Sequence, residues 1–217
     1  MPSRFRLRAI FKPLVQRLAK GLARRGCTPN QATALTFVLS AASLVFFLVV
    51  PLCWPSMFVY ALIVFITGVM DGVDGAIARA TGQKTRWGGV FDSTMDRYSD
   101  ALIFFTPAAR ELLRGDVVSS SWLGLPVVDL VPLWAWALVL VIGSYMTSYI
   151  RARTTLADPS ADVDVGMFGR SERLFMIVVA AACNLLPIAI VVLAAVTNIT
   201  AVYRVIDARK RLPMEKE

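Results

Sequence analysis

The chain has 217 residues, of which 57% are hydrophobic, and its net charge is +8. Its mean hydropathy is +0.63. Since soluble domains are nearer about 45–50% apolar, this composition excludes an ordinary soluble domain and indicates an integral membrane protein. The sequence contains no histidine, which excludes histidine-based acid–base chemistry and histidine-ligated zinc, so any general base is a carboxylate or a rarer group.

The first predicted element is a basic amphipathic helix over residues 3–25. Apolar residues such as Ile10 and Leu14 recur at helical spacing, and arginines and lysines fill much of the other face. Such a helix typically lies along a membrane surface, although a solvated helix packed against the body would show a similar pattern. We predict a juxtamembrane helix over 1–26, a six-helix transmembrane domain over 27–209 and a polar tail over 210–217.

Six apolar segments follow, and each has about the 20 residues that a membrane span needs. Thr28 and Pro29 are residue types that begin helices, so the helix that contains the first span starts there. The fifth and sixth spans share residues 171–208, with a break predicted at 184–187. The other predicted spans are 31–50, 56–79, 87–113 and 132–156. The fold class is therefore an all-α integral membrane protein, in which a short connection makes the second and third spans antiparallel neighbours.

The distribution of basic residues predicts the orientation. Twenty-one of the 23 lysines and arginines lie before the first span, beside the second–third and fourth–fifth loops, or at the C-terminus, while only Arg110 and Arg114 fall on the other side. Because positive charge is retained in the cytoplasm, we predict a multi-pass protein of the cell membrane with both termini cytoplasmic. Charges placed this way favour anionic lipid headgroups and phosphorylated substrates as partners and argue against nucleic acid.

Four aspartates stand at the cytoplasmic ends of the second and third spans, Asp71 with Asp74 and Asp92 with Asp96. The spacings i, i+3 and i, i+4 place each pair on one helix face. Four carboxylates in one place repel each other unless a cation holds them. Hard oxygen ligands suit Mg²⁺ or Mn²⁺ bound with a phosphorylated substrate, so we predict a site for two divalent ions that opens to the cytoplasm.

Two other interpretations of the aspartates remain open. The carboxylates could cap helices or pair with Arg79, Arg86 and Arg97. They could also serve ion transport through a carboxylate relay, although a relay requires acids along a path across the membrane and these lie at one face.

The motif that contains the aspartates reads Asp-x2-Asp-Gly-x2-Ala-Arg-x8-Gly-x3-Asp-x3-Asp over residues 71–96. It is similar to the signature of the CDP-alcohol phosphotransferase family at every position. The resemblance implies that an alcohol hydroxyl attacks the lipid-side phosphate of a CDP-linked lipid and that CMP leaves. Members of the family are homodimers, which the resemblance extends to this chain.

The resemblance also implies roles for individual residues. The metal ligands would be Asp71, Asp74, Asp92 and Asp96, and Asp96 would also take the proton of the attacking hydroxyl. Asp100 extends the acidic face by one more turn, where it would support these ligands or, as the alternative, bind metal itself. The nucleotide would contact Asn30, Thr33, Gly75, Ala78 and Arg79.

A second group of residues bears on the acceptor alcohol. Several arginines near the same face favour an acceptor that carries its own phosphate, because guanidinium groups bind phosphate in a bidentate manner. The predicted acceptor-phosphate residues are Ser148, Arg151, Arg170, Arg173 and Arg204. The runs SYIRAR and GRSERL resemble the inositol-phosphate branch of the family, which implies inositol 1-phosphate as acceptor. Glycerol 3-phosphate is the alternative, since it also carries a phosphate.

Overall fold

The computed structural model describes residues 7–115, 131–161 and 168–212. Within these ranges the chain forms eight α-helices, which we number in chain order. They are α1 (Leu7–Arg24), α2 (Pro29–Val49), α3 (Trp54–Met70), α4 (Val73–Thr81), α5 (Arg86–Arg114), α6 (Leu133–Ala157), α7 (Arg170–Ala182) and α8 (Leu186–Arg211). The described part of the chain is thus all helical, as predicted. Parts of the predicted outer connection, acidic loop and C-terminal tail lie outside the described residues.

Four segments are long and apolar enough to cross a membrane, namely Pro29–Val49, Trp54–Thr81, Leu133–Ala157 and Leu186–Arg211. These correspond to the first, second, fourth and sixth predicted spans. Helix α5 is 29 residues long but carries several charged residues, and α7 has 13 residues. A helix of that length extends about 20 Å at 1.5 Å per residue, which is less than the roughly 30 Å of a bilayer core.

Local signals determine where several helices begin and end. The hydroxyl of Thr28 accepts from the backbone N–H of Gln31, and Pro29 occupies the first turn of α2, as predicted. The predicted break at 184–187 is also present. Asn184 adopts a left-handed conformation at φ 59°, and the Leu185 N–H donates to the carbonyl of Ala180. This arrangement ends α7 and allows α8 to begin at Leu186.

The second predicted span is interrupted, which corrects the prediction of one continuous helix over 56–79. Helix α3 ends at Met70, Asp71 and Gly72 form a turn, and α4 begins at Val73. The N-terminal helix α1 packs against α4, and a β-carbon on Gly72 would lie 3.4 Å from Val15 of α1. The turn and this close approach place Asp71 and Asp74 on either side of a bend instead of on one uninterrupted helix face.

Helix α2 packs against α3, α4 and α5. The second and third spans also meet, since the hydroxyl of Tyr60 on α3 donates to the backbone carbonyl of Ile103 on α5 at 3.2 Å. Small hydroxyl residues line the buried face of α2, and their side chains donate to carbonyls one turn earlier, as from Thr36 to Ala32 and from Ser40 to Thr36. Small residues with satisfied hydroxyls permit helices to approach closely in an apolar surrounding.

The other half of the bundle is formed by α6, which packs against α5 and α8, and by α7, which packs against α3 and α8. Gly143 marks the closest approach between α6 and α8, since a β-carbon there would lie 2.4 Å from the hydroxyl of Thr197. The amide of Asn198 donates to the carbonyl of Val139 at 3.0 Å across the same contact. The main hydrophobic core fills the space between α2, α3, α5, α6, α7 and α8.

Candidate active site

Three of the four predicted metal ligands converge. Asp71 follows the end of α3, while Asp92 and Asp96 lie one turn apart on α5. One carboxylate oxygen from each of these three residues lies within 4.8 Å of the others. All three side chains are partly buried. The bend after α3 and the regular spacing on α5 thus bring together acids that are 21 to 25 positions apart in the sequence.

Asp74, the fourth predicted ligand, borders the same cavity but is held by its own hydrogen bonds. It is 6% exposed. One of its carboxylate oxygens accepts from the hydroxyl of Thr33 at 2.7 Å, and the other accepts from the backbone N–H of Gly75. The hydrogen bond from Thr33 therefore fixes the orientation of Asp74 relative to the three converging aspartates.

Arg170, the first residue of α7, reaches into the aspartate cluster. Its guanidinium is ion-paired with Asp71 and with Asp96, the latter at 2.8 Å, and its Nε donates to Asp100 at 2.8 Å. Arg97 also approaches Asp96, at 3.6 Å. Pairing of the aspartates with arginine thus occurs, as one interpretation of the sequence expected, but the principal partner is Arg170 and not Arg79, Arg86 or Arg97.

A buried polar network continues from Asp100 toward the other predicted acceptor residues. Asp100 accepts from the hydroxyl of Ser144 at 3.2 Å and lies 3.6 Å from the guanidinium of Arg173. Arg173 also donates to the hydroxyl of Thr147 at 3.3 Å. Arg204 donates to the backbone carbonyl of Thr147 at 2.6 Å. Asp100 and Thr147 therefore hold the arginines in position from the buried side.

A cavity of about 420 Å³ contains both groups of predicted residues. Its walls include all four aspartates of the motif and all five predicted acceptor residues: Ser148, Arg151, Arg170, Arg173 and Arg204. The structure thus brings the acids and the arginines to one space, although the arginines come from three different helices. A phosphorylated molecule in this cavity would contact both carboxylates and guanidinium groups.

A second cavity, of about 200 Å³, lies between the start of α2, helix α4 and the start of α5. It contains every residue predicted to contact nucleotide: Asn30, Thr33, Gly75, Ala78 and Arg79. Three further residues in its wall, Gln83, Lys84 and Thr85, were not predicted. They occupy unspecified positions of the motif, in the loop that joins α4 to α5, and the signal in the sequence was the polar character of that loop.

The residues of the first cavity fit a divalent cation. Three carboxylate oxygens converge from two elements, and hard oxygen donors are the ligands that Mg²⁺ and Mn²⁺ prefer. The cluster also surrounds a cationic group, the guanidinium of Arg170. Asp100 bonds to arginines and is not among the three converging carboxylates.

Comparison with known proteins identifies the family. The sequence profile described as CDP-alcohol phosphatidyltransferase matches residues 27–205. The chain belongs to the CDP-alcohol phosphatidyltransferase family. This membership confirms the resemblance seen in the motif at 71–96, and it makes the chain a transferase, leaving the ion-relay interpretation without support.

Two relatives of this CDP-alcohol phosphatidyltransferase refine the comparison. Archaetidylinositol phosphate synthase from Pyrococcus horikoshii is 35% identical over 210 residues, which cover 96% of this chain and 98% of that protein. The crystal structure of Mycobacterium tuberculosis phosphatidylinositol phosphate synthase in complex with manganese and citrate matches with a TM-score of 0.71 at 27% identity, covering 94% of this chain and 93% of that one. The same enzyme with CDP-DAG bound matches with a TM-score of 0.68 at 28% identity, covering 94% and 98% of the two chains.

Proposed function

We propose that this enzyme transfers a phosphatidyl-type group from a CDP-linked lipid, either CDP-diacylglycerol or its archaeal ether analogue, to inositol 1-phosphate and releases CMP. The observation that carries the proposal is the common wall of the two cavities. Asp74, Gly75, Arg79 and Asp92 border both of them. A pyrophosphate placed at this wall would have its nucleotide in the smaller cavity and its lipid-side phosphorus facing the arginines.

The donor would be positioned by the smaller cavity. Gly75 and Ala78 leave room there for the cytidine beside α4, and Arg79 provides positive charge for the nucleotide phosphate. Gly88 faces the same cavity, and a β-carbon on it would lie 2.9 Å from the hydroxyl of Thr85 and 3.4 Å from the side chain of Asn30. The absence of a side chain at this position keeps the cavity wall open for the ligand.

The acceptor would be positioned by the larger cavity. Arg173 and Arg204 bond to Thr147, and this support orients their guanidinium groups for the phosphate of inositol 1-phosphate. The hydroxyl of the bound inositol then faces the lipid-side phosphorus. Holding the two reactants close together in this orientation supplies much of the rate enhancement in phosphoryl transfer.

Asp96 would accept the proton of the attacking hydroxyl. The new bond joins the hydroxyl oxygen to the lipid-side phosphorus, the bond from that phosphorus to the CMP oxygen breaks, and CMP leaves as an anion. Asp71, Asp74, Asp92 and Asp96 would hold two divalent ions, and these would supply positive charge for the pyrophosphate and the leaving group. Asp92 precedes Asp96 by one turn of α5, so the same helix carries a metal ligand and the base.

We propose further that the chain crosses the membrane six times, with α5 and α7 joining the four apolar segments, and that α1 lies along the cytoplasmic surface. Because α7 is shorter than the bilayer core, its crossing requires local thinning of the bilayer. Phe11, Val15 and Ala19 of α1 face the body, whereas Ile10 and Leu14 are 68% and 42% exposed. An apolar stripe beside the packed face, on a helix rich in basic residues, supports contact with lipid. Both termini and the active site would then be cytoplasmic, and the enzyme would act as a homodimer.

Purified enzyme in liposomes tests the reaction. CMP is measured with CDP-DAG or its ether analogue, Mn²⁺ or Mg²⁺, and a panel of alcohols. We expect release with inositol 1-phosphate and at least about a hundredfold loss in Asp92→Asn, because oriented charge at the transferring group contributes several kcal/mol to such reactions. Asp158→Asn, which changes an acid in the turn after α6, should keep full activity. CMP release that is independent of Asp92, or absent with every alcohol, would refute the proposal.

The same panel tests the alternative acceptor. Glycerol 3-phosphate carries a phosphate for the same arginines, but it is smaller than inositol 1-phosphate. A kcat/KM that is greater for glycerol 3-phosphate than for inositol 1-phosphate would favour the alternative, and it would leave the roles of the aspartates unchanged.

A further inference from the structure

We propose that Arg170 is an internal counter-cation of the aspartate cluster. In this proposal a divalent cation and the Arg170 guanidinium compete for Asp71 and Asp96, and binding of the cation redirects Arg170 toward the phosphate of the acceptor. The inference rests on the proposed function, because it assigns a metal to the aspartates and an acceptor phosphate to the arginines.

The first support is the identity of the carboxylates that Arg170 contacts. Two of its partners, Asp71 and Asp96, are also two of the three acids whose oxygens converge within 4.8 Å. One guanidinium nitrogen bonds to both of them. A cation bound to the same oxygens would lie beside this nitrogen. Since like charges at such a distance repel strongly in a partly buried site, both cannot hold these positions together.

The second support is the separate attachment of the arginine to Asp100. The Nε of Arg170 donates to Asp100 at 2.8 Å, and Asp100 is outside the group of three converging acids. Asp100 is also 1% exposed and held by Ser144. Arg170 can therefore release Asp71 and Asp96 while its Nε remains attached, so that only the end of the side chain has to move.

The third support is the surroundings into which the released guanidinium would turn. Arg170 borders the same cavity as Ser148, Arg173 and Arg204. Before the exchange its charge is neutralised by aspartates, and after the exchange it is available to an anion. Arginine suits this change because its planar group forms bidentate bonds equally well with carboxylate and phosphate.

The proposal has a thermodynamic consequence. If a cation frees Arg170 for phosphate, then a bound phosphate must strengthen cation binding by the same factor, since coupling between two ligands is reciprocal. The free enzyme would bind cation weakly, and the metal and the acceptor would assemble together. Arg170 would contact the aspartates in the free enzyme and the acceptor phosphate once the cation is bound.

Titration of Mn²⁺ into purified protein without substrates, followed by calorimetry, tests the competition. We expect Arg170→Gln to lower the Kd for Mn²⁺ by about tenfold or more, because a charge-assisted pair no longer has to be broken. Arg170→Lys should lower the Kd by less, since an ammonium group keeps the charge but loses the bidentate geometry of the guanidinium. Arg153→Gln, which removes an exposed charge at the end of α6, should match the wild type.

The outcomes separate this inference from the proposed function. Mn²⁺ binding to the wild type that is insensitive to Asp92→Asn would undermine the metal site itself. Mn²⁺ binding that depends on Asp92 but is unchanged in Arg170→Gln and Arg170→Lys would overturn the role of Arg170 alone. An equal increase in affinity in Arg153→Gln would also overturn it, because the effect would then be general electrostatics.

A second titration tests the redirection of Arg170. The Kd for inositol 1-phosphate is measured with and without saturating Mn²⁺. The Kd without Mn²⁺ divided by the Kd with Mn²⁺ should be greater in the wild type than in Arg170→Lys, because only the native guanidinium moves from carboxylate to phosphate. An equal ratio in both proteins would refute the coupling.

Discussion

Replacing Asp100 with asparagine should impair acceptor binding and stability together. Asp100 is a buried acid that lies within 2.8 Å of Arg170 and 3.6 Å of Arg173. Asparagine retains the shape and one acceptor oxygen, but it removes the negative charge that faces both guanidinium groups. The arginines would remain buried with less compensation, and their orientation toward the cavity would no longer be fixed.

The expected magnitudes follow from these contacts. Removing one partner of a buried ion pair costs roughly 3–5 kcal/mol, and retention of an acceptor oxygen favours the lower end, roughly 3 kcal/mol. For a chain of this size such a loss lowers the apparent Tm by roughly 6–12 °C. Misplacing a guanidinium that binds the acceptor phosphate should raise the acceptor KM by about tenfold, which corresponds to about 1.4 kcal/mol. The KM for the CDP-linked lipid should change far less.

The assay combines thermal unfolding with steady-state release of CMP at varied concentrations of each substrate. Ser144→Ala is the matched control, because it removes the neutral donor to Asp100 at 3.2 Å and leaves both ion pairs intact. We expect the control to lose about 1 kcal/mol of stability and to keep its acceptor KM. An Asp100→Asn enzyme with wild-type Tm and wild-type acceptor KM would show that Asp100 does not position the arginines.

Two further predictions concern glycines. Gly88→Ala should raise the KM for the CDP-linked lipid severalfold, because the new methyl group would lie 2.9 Å from Thr85 in the nucleotide cavity. Gly21→Ala on α1, which meets nothing within 4 Å, should keep wild-type kinetics, and equal kinetics in the two variants would contradict the cavity assignment. Gly143→Ala should destabilise the protein by about 1–3 kcal/mol, because the new methyl group disturbs the α6–α8 contact. Gly21→Ala, which meets nothing within 4 Å, should be neutral or slightly stabilising. Thermal unfolding of both variants checks this, and an unchanged Tm for Gly143→Ala would contradict the close approach.

Features encoded within a few residues could be predicted from the sequence. The start of α2 depends on Thr28 and Pro29, and the end of α7 depends on the left-handed Asn184, so each is decided by its own neighbours. The bend after Asp71 could not be predicted in this way. The Asp-Gly pairs at 71–72 and 74–75 permit a turn, but the close contact of Gly72 with Val15 of α1 is a property of the folded chain.

The candidate site shows the same difference between features set by local sequence and features set by the folded chain. The aspartates belong to one motif with Gly75, Ala78 and Arg79, and its fixed spacing made their grouping predictable. The partners that orient them could not be predicted. Thr33 bonds to Asp74 across 41 positions and Arg170 to Asp71 across 99, and no local pattern specifies either contact. The role of Asp100 as the support of two arginines likewise depends on how α5, α6 and α7 assemble.

The contact between Val15 and Gly72 has a consequence for engineering. The glycine directly follows the first aspartate of the motif, and the helix that touches it precedes every apolar segment in the chain. A shortened protein that kept all the hydrophobic helices but not α1 would lack the packing of Val15 against Gly72, next to Asp71. We therefore expect α1 to support the reaction centre as well as to contact lipid.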